Sequence, residues 1–531
     1  MHVLSLILYL VIAAGLAILI QSWFLRKVSV NYVALTLGII MALIPYFHVN
    51  SYTFKPELFL GIIVAPLLFF EAQEERIYNI VRSWKSIIGI TVIMTLIATI
   101  LAAFSLKWLI GLSLPLSFIL AAISTPTDAT AAESVSHGLE LPEKVENYLE
   151  NESLLNDASG IILLNMAISW YLWQHLEIAT TFINFLYSTI GGIVLGLGVS
   201  AILILIRERL VRVNLDLVTN ETYAVTAITI FYVLTPALLY FLAQAIKVSG
   251  IITVVAAGLA HSAEQERSRI TSINLTYNNF QITNTLTDIL NSIVFIILGI
   301  SIVKTMQNKA LPNKIDQAIL IGVLLYLINL FVRYLYSFFS LKLTNKNAWI
   351  FALGGIHGAV TFALAYTLDQ TLISPNNFHL VLFSETTLII LSMLIPTIIF
   401  NFLLPKDTPD VEREKEVLSI RENMVNYALE KTKKIYMPKM FRKQLEFDLK
   451  AQINETSMRD FLKELRKSIR HPELTLEEKE FRNEVYRYAF RQERNYLGKI
   501  ALKELGYRKS FMSLYREILL AEVLFLRPDN D

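Results

Sequence analysis

The chain has 531 residues, of which 54% are hydrophobic and only 17% are charged, and its formal net charge is +2. Soluble domains usually carry about a quarter charged residues, so this composition indicates an integral membrane protein. The sequence contains no cysteine, which excludes disulfide frameworks and cysteine-based metal sites. The sequence shows no basic face with interleaved aromatic residues, so we expect no nucleic-acid partner.

Charged residues are concentrated towards the C-terminus. Residues 1–405 hold 42 of the 92 Asp, Glu, Lys and Arg residues, and residues 406–531 hold the other 50. This shift predicts a transmembrane domain over 1–405 and a soluble helical tail over 406–531. Amphipathic segments of the tail are interrupted at Pro438, Pro472 and Gly498. The tail is expected to be a cytoplasmic helical domain that either regulates the membrane domain or is a solvated appendage.

The first 405 residues contain apolar segments long enough to cross a bilayer, which takes about 20 residues as a helix. Thirteen such spans lie near 3–20, 29–46, 57–71, 86–106, 113–135, 150–173, 180–206, 222–240, 242–262, 283–304, 316–340, 347–369 and 378–404. The eighth and ninth are hardest to separate, because Pro236 and Lys247 both interrupt one apolar stretch. The first span lacks a basic start and a cleavage pattern, so it is expected to remain as a helix.

The loops predict the orientation of the chain in the membrane. Lys and Arg favour cytoplasmic loops, and they are more frequent in the loops that lie inside if the N-terminus is outside. Those loops contain thirteen Lys and Arg residues, among them Arg26, Lys27, Arg76 and Arg269, and the opposite loops contain six, among them Lys309 and Lys314. An odd number of spans then places the tail in the cytoplasm. We expect a multi-pass protein of the plasma membrane, surrounded by lipid.

Polar residues interrupt the fifth span at Ser124-Thr125-Pro126-Thr127-Asp128. Pro126 removes a backbone donor and disfavours helical structure at the residue before it. Interrupted transmembrane helices expose carbonyl groups and half-helix N-termini, which can bind an ion. A charged side chain at the bilayer centre costs roughly 2.5–3.5 kcal/mol, so Asp128 is a functional candidate. The alternative is a proline kink beside an incidentally buried carboxylate.

The sixth span offers carboxylates on two neighbouring faces. Glu152 and Asn156 are four residues apart and share one helix face, while Ser153 and Asp157 share the next. Hard cations prefer such oxygen ligands. Glu152 has the alternative of being solvated near the cytoplasmic end. Asp157 is followed by a largely apolar stretch, so it is predicted to lie inside the membrane.

Two basic residues also lie inside predicted spans. Arg333 in the eleventh span cannot deprotonate, so it needs a fixed anion, and Glu152 is the expected partner; snorkelling to the interface is the alternative. His357 lies in the glycine-rich stretch of the twelfth span, either as a buried structural residue or as a proton carrier. Among further acidic residues, Glu133 is expected to face a cytoplasmic funnel, Glu71 and Asp369 to be solvated at span ends, and Asp288 and Glu385 have no assigned role.

These residues resemble the monovalent cation:proton antiporter superfamily, in the branch of the NhaP antiporters and the animal sodium/proton exchangers. The resemblance covers roughly residues 3–404. Its motifs are Pro66-Leu-Leu-Phe-Phe-Glu71-Ala, Thr127-Asp128, Glu152-Ser-Leu-Leu-Asn-Asp157, Arg333 and the stretch Gly354–Val360.

The resemblance implies an all-α fold of inverted six-helix repeats around a linking seventh helix, with the fifth and twelfth spans crossing as broken helices. It implies a homodimer without a cofactor, which transports Na⁺ and H⁺ and serves sodium and pH homeostasis. It also implies Na⁺ binding by Thr127, Asp128, Glu152, Ser153 and Asp157, with support from Asn156, Arg333 and His357. Two residues depart from the family pattern, because Ala129 stands in the place of a proline and His357 in the place of an arginine.

Charge balance favours an electroneutral antiporter over other membrane functions. If Glu152 and Arg333 neutralise each other, Asp157 is left uncompensated and is expected to cross only with one proton or one cation bound. Electrogenic exchange remains an alternative if Asp128 or Glu152 also exchanges protons, and a cation channel using the same acidic residues is a further one. The sequence shows no nucleophile constellation or histidine-rich metal cluster, so we expect a transporter rather than an enzyme. The choice between Na⁺, Li⁺ and K⁺ stays open.

Overall fold

The computed structural model describes residues 2–25, 28–44, 55–75, 77–174, 178–215, 221–268, 273–307, 315–368, 373–406, 410–453, 475–503 and 508–525. Within these residues the secondary structure is almost entirely helical. The chain folds as two compact units, Met1–Pro405 and Lys406–Asp531. Several residues named above lie outside the described ranges: Arg26, Lys27, Arg76, Arg269, Lys309, Lys314, Asp369 and Pro472.

Every predicted span corresponds to a helix or, in the fifth and twelfth spans, to two half-helices. The helices of the first four spans are α1 His2–Phe24, α2 Val30–Leu43, α3 Pro56–Glu74 and α4 over 77–110. The fifth to ninth spans are α5 Leu114–Ile123 with α6 Ala129–Val135, then α7 Glu143–Trp173, α8 Ile178–Leu215, α9 Glu221–Ala245 and α10 Gly250–Ser268. The last four are α11 Ile273–Gln307, α12 Ile315–Phe339, α13 Asn345–Leu353 with α14 Ala359–Thr367, and α15 Pro375–Leu403.

Length and composition support the membrane assignment. Among the described residues, seven helices are long and apolar enough to cross a membrane, and shorter apolar helices accompany them. The prediction of an all-helical polytopic membrane protein is therefore confirmed. The eighth and ninth spans separate near Lys247, which has a left-handed φ of 60°. Pro236 lies inside α9, as it does inside the predicted eighth span.

The break of the fifth span follows from its sequence. After α5 ends at Ile123, the hydroxyl groups of Ser124 and Thr125 donate to the carbonyls of Ala121 and Ala122, at 2.9 and 2.8 Å. These bonds satisfy carbonyl groups that a helix end otherwise leaves free. Pro126 cannot continue the helix, so the backbone is unwound up to Asp128.

An apolar cluster surrounds the half-helices on the α5 side of this break. It combines residues of α5, α12, α14 and α15 with the second half of α7. On the other side of the break, α6 and the first turns of α7 border a polar cavity. The two sides of the fifth span therefore have opposite characters, one apolar and filled, the other polar and open.

The tail forms its own helical unit with a separate apolar core. Its helices are α16 Asp410–Thr432, α17 Lys439–Ala451, α18 Leu476–Lys503 and α19 Arg508–Phe525. Met424, Leu445, Phe490 and Leu514 are among the residues that pack between them. Pro438 precedes α17, as the interruption predicted there requires. The predicted interruption at Gly498 is wrong, because α18 continues through it.

Candidate cation site at two crossed helix breaks

Asp128 begins the second half of the fifth span. It is the N-cap of α6, and its carboxylate oxygen Oδ1 accepts the backbone N–H of Ala131 at 3.0 Å and the hydroxyl of Thr130 at 2.7 Å. An acidic N-cap satisfies orphan backbone donors and lies at the positive end of the helix dipole. The negative charge of Asp128 is thus stabilised locally.

The breaks of the fifth and twelfth spans contact each other directly. The backbone N–H of Asp128 donates to the carbonyl of Ile356 at 2.8 Å, and Nδ1 of His357 lies 2.8 Å from the carbonyl of Pro126. Gly358 lies against the Asp128 side chain, where an added Cβ would overlap the carboxylate. Two unwound segments can approach this closely only with glycine at the contact. The predicted crossing of two broken helices is confirmed.

Helix α7 presents its polar residues to the break of the fifth span. Ser153 accepts the backbone N–H of Ala129 at 3.0 Å, and Asn156 donates from Nδ2 to the hydroxyl of Thr127 at 2.7 Å. These two bonds fasten the residues on either side of Asp128 to α7. The structure therefore brings together Thr127, Asp128, Glu152, Ser153, Asn156 and Asp157, the residues that the sequence nominated. All but Asp128 are less than 9% exposed.

Arg333 forms the ion pair with Glu152 that the sequence predicted. The guanidinium also donates to the carbonyls of Phe351 at 3.0 Å and Ala352 at 3.3 Å, in the last turn of α13. A cation is favourable at this negative helix end. Arg333 is 4% exposed and Glu152 is 2% exposed. Arg333 therefore does not extend to the membrane interface, and the snorkelling alternative is wrong. The pair holds α7, α12 and α13 together.

Asp157 has no comparable partner. It is 2% exposed, no described residue donates a hydrogen bond to it, and its Oδ1 is fully buried. The nearby Asp128 adds electrostatic repulsion. Because a buried carboxylate without a partner costs several kcal/mol, Asp157 needs a proton or a cation. Four groups of the site have partners, namely the hydroxyls of Thr127 and Ser153 and the carboxylates of Asp128 and Glu152. Among the described residues of the site, the Asp157 carboxyl is the one that is not neutralised.

A cavity of about 420 Å³ leads to this site. Its walls near the site are Ala129, Thr130 and Leu154, the last of which is one helical turn before Asp157. Carboxylates surround the rest of the cavity: Glu71, Glu74, Glu75, Glu133, Glu146 and Glu150. Glu133 thus faces a funnel as expected. Glu71 lies in the same funnel rather than simply at a solvated span end.

The sequence interpretation missed the collective role of these cavity carboxylates. No role was predicted for Glu74, Glu75, Glu146 and Glu150. Each lies near the end of a predicted span, where a solvated carboxylate is common. Their shared position on one side of the site depends on how α3, α6 and α7 pack, which hydropathy does not reveal. The available signal is that none of them has a Lys or Arg four residues away on the same helix.

His357 connects the two breaks through its backbone and its ring. Its N–H donates to the hydroxyl of Ser392 at 3.1 Å, and Nδ1 must donate to Pro126, because a carbonyl oxygen can only accept. Thr361 donates to the same carbonyl at 3.3 Å. The ring is 2% exposed. A neutral ring fulfils this linking role, which supports the structural interpretation over the proton carrier.

Comparison with known proteins identifies the family of the chain. The model of the sodium/hydrogen exchanger family, described as transmembrane, matches residues 8–406. The chain belongs to this family. The match covers the first compact unit, which contains the two broken spans, and it does not include the tail.

Proteins similar to this chain include several that are named as antiporters. The chain is 28% identical to a sodium, potassium, lithium and rubidium/H⁺ antiporter of Bacillus pumilus over 77% of its own length and 61% of the relative. It thus spans about six-tenths of that relative. It is 23% identical to the Na⁺/H⁺ antiporter NhaS2 of Synechocystis, covering 98% of this chain and 94% of the relative.

A solved structure shares the fold of this chain. The sodium proton antiporter MjNhaP1 of Methanocaldococcus jannaschii aligns with a TM-score of 0.56 and 21% identity, covering 76% of this chain and 98% of the other. At this identity the likeness concerns the fold. The sequence-based assignment to the antiporter superfamily and its fold is confirmed.

Proposed function

We propose that the protein is a secondary antiporter that exchanges one Na⁺ (or Li⁺ or K⁺) for one H⁺ across the membrane. The observation that carries this proposal is the contrast inside α7, where Glu152 is neutralised by Arg333 and Asp157 is not neutralised by any described group. The name of the Bacillus relative includes sodium, potassium and lithium. On this proposal the protein is a transporter without a cofactor, and Na⁺ and H⁺ are its substrates.

Binding of the cation is expected to centre on Asp157. Asp128, Ser153 and Thr127 lie on the facing break and the adjacent turn and offer carboxylate, hydroxyl and carbonyl oxygens, the ligand types that hard cations prefer. Glu152 lies one turn before Asn156 and directs one oxygen to Arg333. Its role is therefore to hold the site in shape, with its second oxygen available to the cation.

Competition between the two substrates follows from the charge of the site. Asp157 is neutral when it binds either one proton or one monovalent cation, and only a neutral site avoids the cost of moving a bare charge through the membrane. Binding one substrate excludes the other. A change of access with either substrate bound then gives one-for-one exchange without net charge movement.

Electrogenic exchange would need a second carboxylate that also gains and loses a proton. Glu152 is bound to Arg333, and Asp128 is held by the first turn of α6. Both are stabilised as anions, which favours the electroneutral form. A channel is disfavoured because the apolar cluster of α5, α12, α14 and α15 closes the side of the site opposite the cavity.

Proteoliposomes test this proposal. With an outward Na⁺ gradient, the purified protein should acidify the lumen in proportion to Na⁺ efflux, because one H⁺ enters for each Na⁺ that leaves. Li⁺ and K⁺ are compared in the same assay. Clamping the membrane potential with valinomycin and K⁺ should leave the Na⁺/H⁺ and Li⁺/H⁺ rates unchanged. A rate that follows the imposed voltage would contradict electroneutrality, and cation flux without coupled protons would favour the channel.

The membrane arrangement is part of the same proposal. With the N-terminus outside, the cavity faces the cytoplasm, where the tail also lies. In the most apolar window of α8, Leu186–Arg207, only 17% of the residues are buried, so this helix offers an apolar face to lipid or to a second copy. We infer a homodimer in the plasma membrane. Single-molecule counting in bilayers should give two copies per particle, and single copies would contradict the dimer.

A further inference from the structure

The first half of α15 carries a carboxyl group that the exchange described above does not use. Glu385 is 0% exposed, and neither of its carboxyl oxygens has a hydrogen-bond partner among the described residues. Leu382 and Leu388, which flank it in sequence, belong to the apolar cluster. Because an ionised carboxylate in such surroundings is very costly, Glu385 carries a proton in this conformation.

The helices around α15 do not neutralise Glu385. They are α5, α6, α11, α12, α13 and α14. Among them α5 has no ionisable side chain and α14 has only Tyr366, while Arg333 of α12 is paired with Glu152. The other ionisable groups on these helices are Asp128 and Glu133 at α6, Tyr277, Asp288 and Lys304 on α11, Asp316, Tyr326, Tyr334 and Tyr336 on α12, and Lys346 on α13. No described residue forms a hydrogen bond or an ion pair with the Glu385 carboxyl.

Glu385 lies on the face of α15 that is directed to the crossed breaks. Glu385, Ile389 and Ser392 are spaced four and three residues apart and therefore share one helix face. The hydroxyl of Ser392 accepts the backbone N–H of His357 in the break of the twelfth span. Seven residues of helix correspond to a rise of about 10 Å, so Glu385 lies about 10 Å along α15 from this contact.

Glu385 lies on the side of the site opposite the cavity, within the apolar cluster. The cavity is bordered by α6 and the first turns of α7, whereas the apolar cluster around Glu385 contains α5 and the second half of α7. α5 and α6 are the two halves of the fifth span, and the two parts of α7 are the two halves of the sixth span. The cavity side has several carboxylates near water, and the closed side has Glu385 inside an apolar cluster.

Alternating access requires the closed side to open. We propose that Glu385 is a relay carboxyl for that side, which becomes hydrated and ionised when the cluster opens and then accepts the proton that leaves Asp157 or attracts the incoming cation. The proton passes from the Asp157 carboxyl to the Glu385 carboxylate and on to water, so charge and protons balance. This inference rests on the proposed antiport and adds a second station to its path.

Sided transport measurements test the relay. In proteoliposomes of uniform orientation, Glu385→Gln should raise the apparent KM for Na⁺ on the side opposite the cavity by on the order of fivefold, because it removes the local negative charge. The KM on the cavity side should stay unchanged. Glu385→Asp, which keeps the ionisable group, should restore most of the loss. Asp316→Asn serves as the matched control, because it removes an exposed carboxylate at the start of α12 and should alter neither KM.

The outcomes separate this inference from the proposed function. Wild-type protein that exchanges Na⁺ for H⁺, together with identical KM values on both sides for wild type and Glu385→Gln, would overturn the relay and leave the antiporter standing. Wild type without any exchange would overturn the antiporter, and the relay with it. Infrared spectra give a readout independent of transport, since Glu385→Gln should remove one protonated carboxyl band seen in the wild type. A band that persists unchanged would contradict a protonated Glu385.

Discussion

The two polar faces of α7 carry carboxylates of similar burial and opposite electrostatic situation. On one face, Glu152 is 2% exposed and forms an ion pair with Arg333, which also binds the end of α13. On the next face, Asp157 is also 2% exposed and has no donor among the described residues. Burial alone therefore does not distinguish them; the partner does.

The presence or absence of a fixed counter-ion determines which buried carboxyl can bind a mobile ion. A carboxylate with a permanent counter-ion is neutralised in every conformation, so it stabilises the fold and has no reason to exchange its partner. A carboxyl without one must take a mobile counter-ion from solution. Asp157 is in that situation and lies one turn from a cavity lined with carboxylates. Substitutions on one of these two faces of α7 should therefore affect either exchange or stability.

The largest expected effect is the loss of exchange in Asp157→Asn. Asparagine is close in size and permanently neutral, so the variant should fold normally yet have no group for which H⁺ and Na⁺ compete. Na⁺-driven proton flux in proteoliposomes should fall to the background of empty vesicles, with an unchanged melting profile. Asp316→Asn is the control and should retain full activity. Transport above background in well-folded Asp157→Asn would show that H⁺ and Na⁺ do not compete for Asp157.

The paired side of α7 should respond in stability. Glu152→Gln and Arg333→Gln each leave one charge buried without a partner, which should cost about 3–5 kcal/mol, and the double variant should lose less than the sum. Thermal unfolding of the purified protein measures all four states of the cycle. The exposed tail pair Arg487–Glu484 is the matched control, with an expected coupling of about 0–1 kcal/mol. Additive effects at Glu152 and Arg333 would show that the pair contributes no coupling.

Glu493 in the tail is a third buried carboxyl, and the arginines near it already form ion pairs with other residues. It is 0% exposed, while Arg421 is paired with Glu517 and Arg494 with Glu522. Burial raises the pKa of Glu493 from 4.5 to about 8, Glu517 adds to the rise, and Gln452, Arg421 and Arg494 oppose it.

A raised pKa means that the folded tail binds a proton that the unfolded tail releases, so its stability should fall as the pH rises from about 4.5 to about 8. The expected loss is on the order of a few kcal/mol. Hydrogen exchange of α16 and α18 amides in the full chain, corrected for intrinsic rates, should reveal weaker protection at about pH 9 than at about pH 6. Glu493→Gln should remove this dependence, and an equal dependence in the variant would assign it to another group.

The smallest expected effect concerns His357. A neutral ring suffices for its bond to Pro126, so His357→Gln, which keeps a donor, should change the apparent KM for Na⁺ by less than about twofold. His357→Arg places a permanent positive charge beside Asp128 and should raise that KM several-fold at alkaline pH. Equal KM values for all three proteins would show that this position is electrostatically silent. A flattened acid side of the activity profile in His357→Gln would instead restore the proton-carrier hypothesis.

Much of the fold was accessible from hydropathy and local chemistry. Spans of about 20 apolar residues must be helical in a bilayer, and Pro126 beside hydroxyl residues indicated the first break. The error at Gly498 has its origin in packing. Gly498 costs only about 1 kcal/mol in a helix, which the contacts of the neighbouring Leu497 in the tail core offset.

The site was predictable in its residues and less so in its surroundings. The spacing of Glu152, Ser153, Asn156 and Asp157 identified the helix faces, and the fixed charge of Arg333 demanded an anion. The cavity carboxylates and the seclusion of Glu385 depend on which helix ends meet in three dimensions. Single-sequence periodicity contains no information on such long-range contacts, so these features required the structure.

The central claim is that H⁺ and Na⁺ compete for one carboxyl, Asp157. The most direct test measures the apparent KM and the maximal rate of Na⁺ uptake from the cavity side over a range of pH. Competition predicts that the KM rises by up to about tenfold for each unit of pH decrease, while saturating Na⁺ restores the same maximal rate. A maximal rate that falls with acidification while the KM stays constant would contradict the account, because the proton would then act at a site other than the one that binds Na⁺.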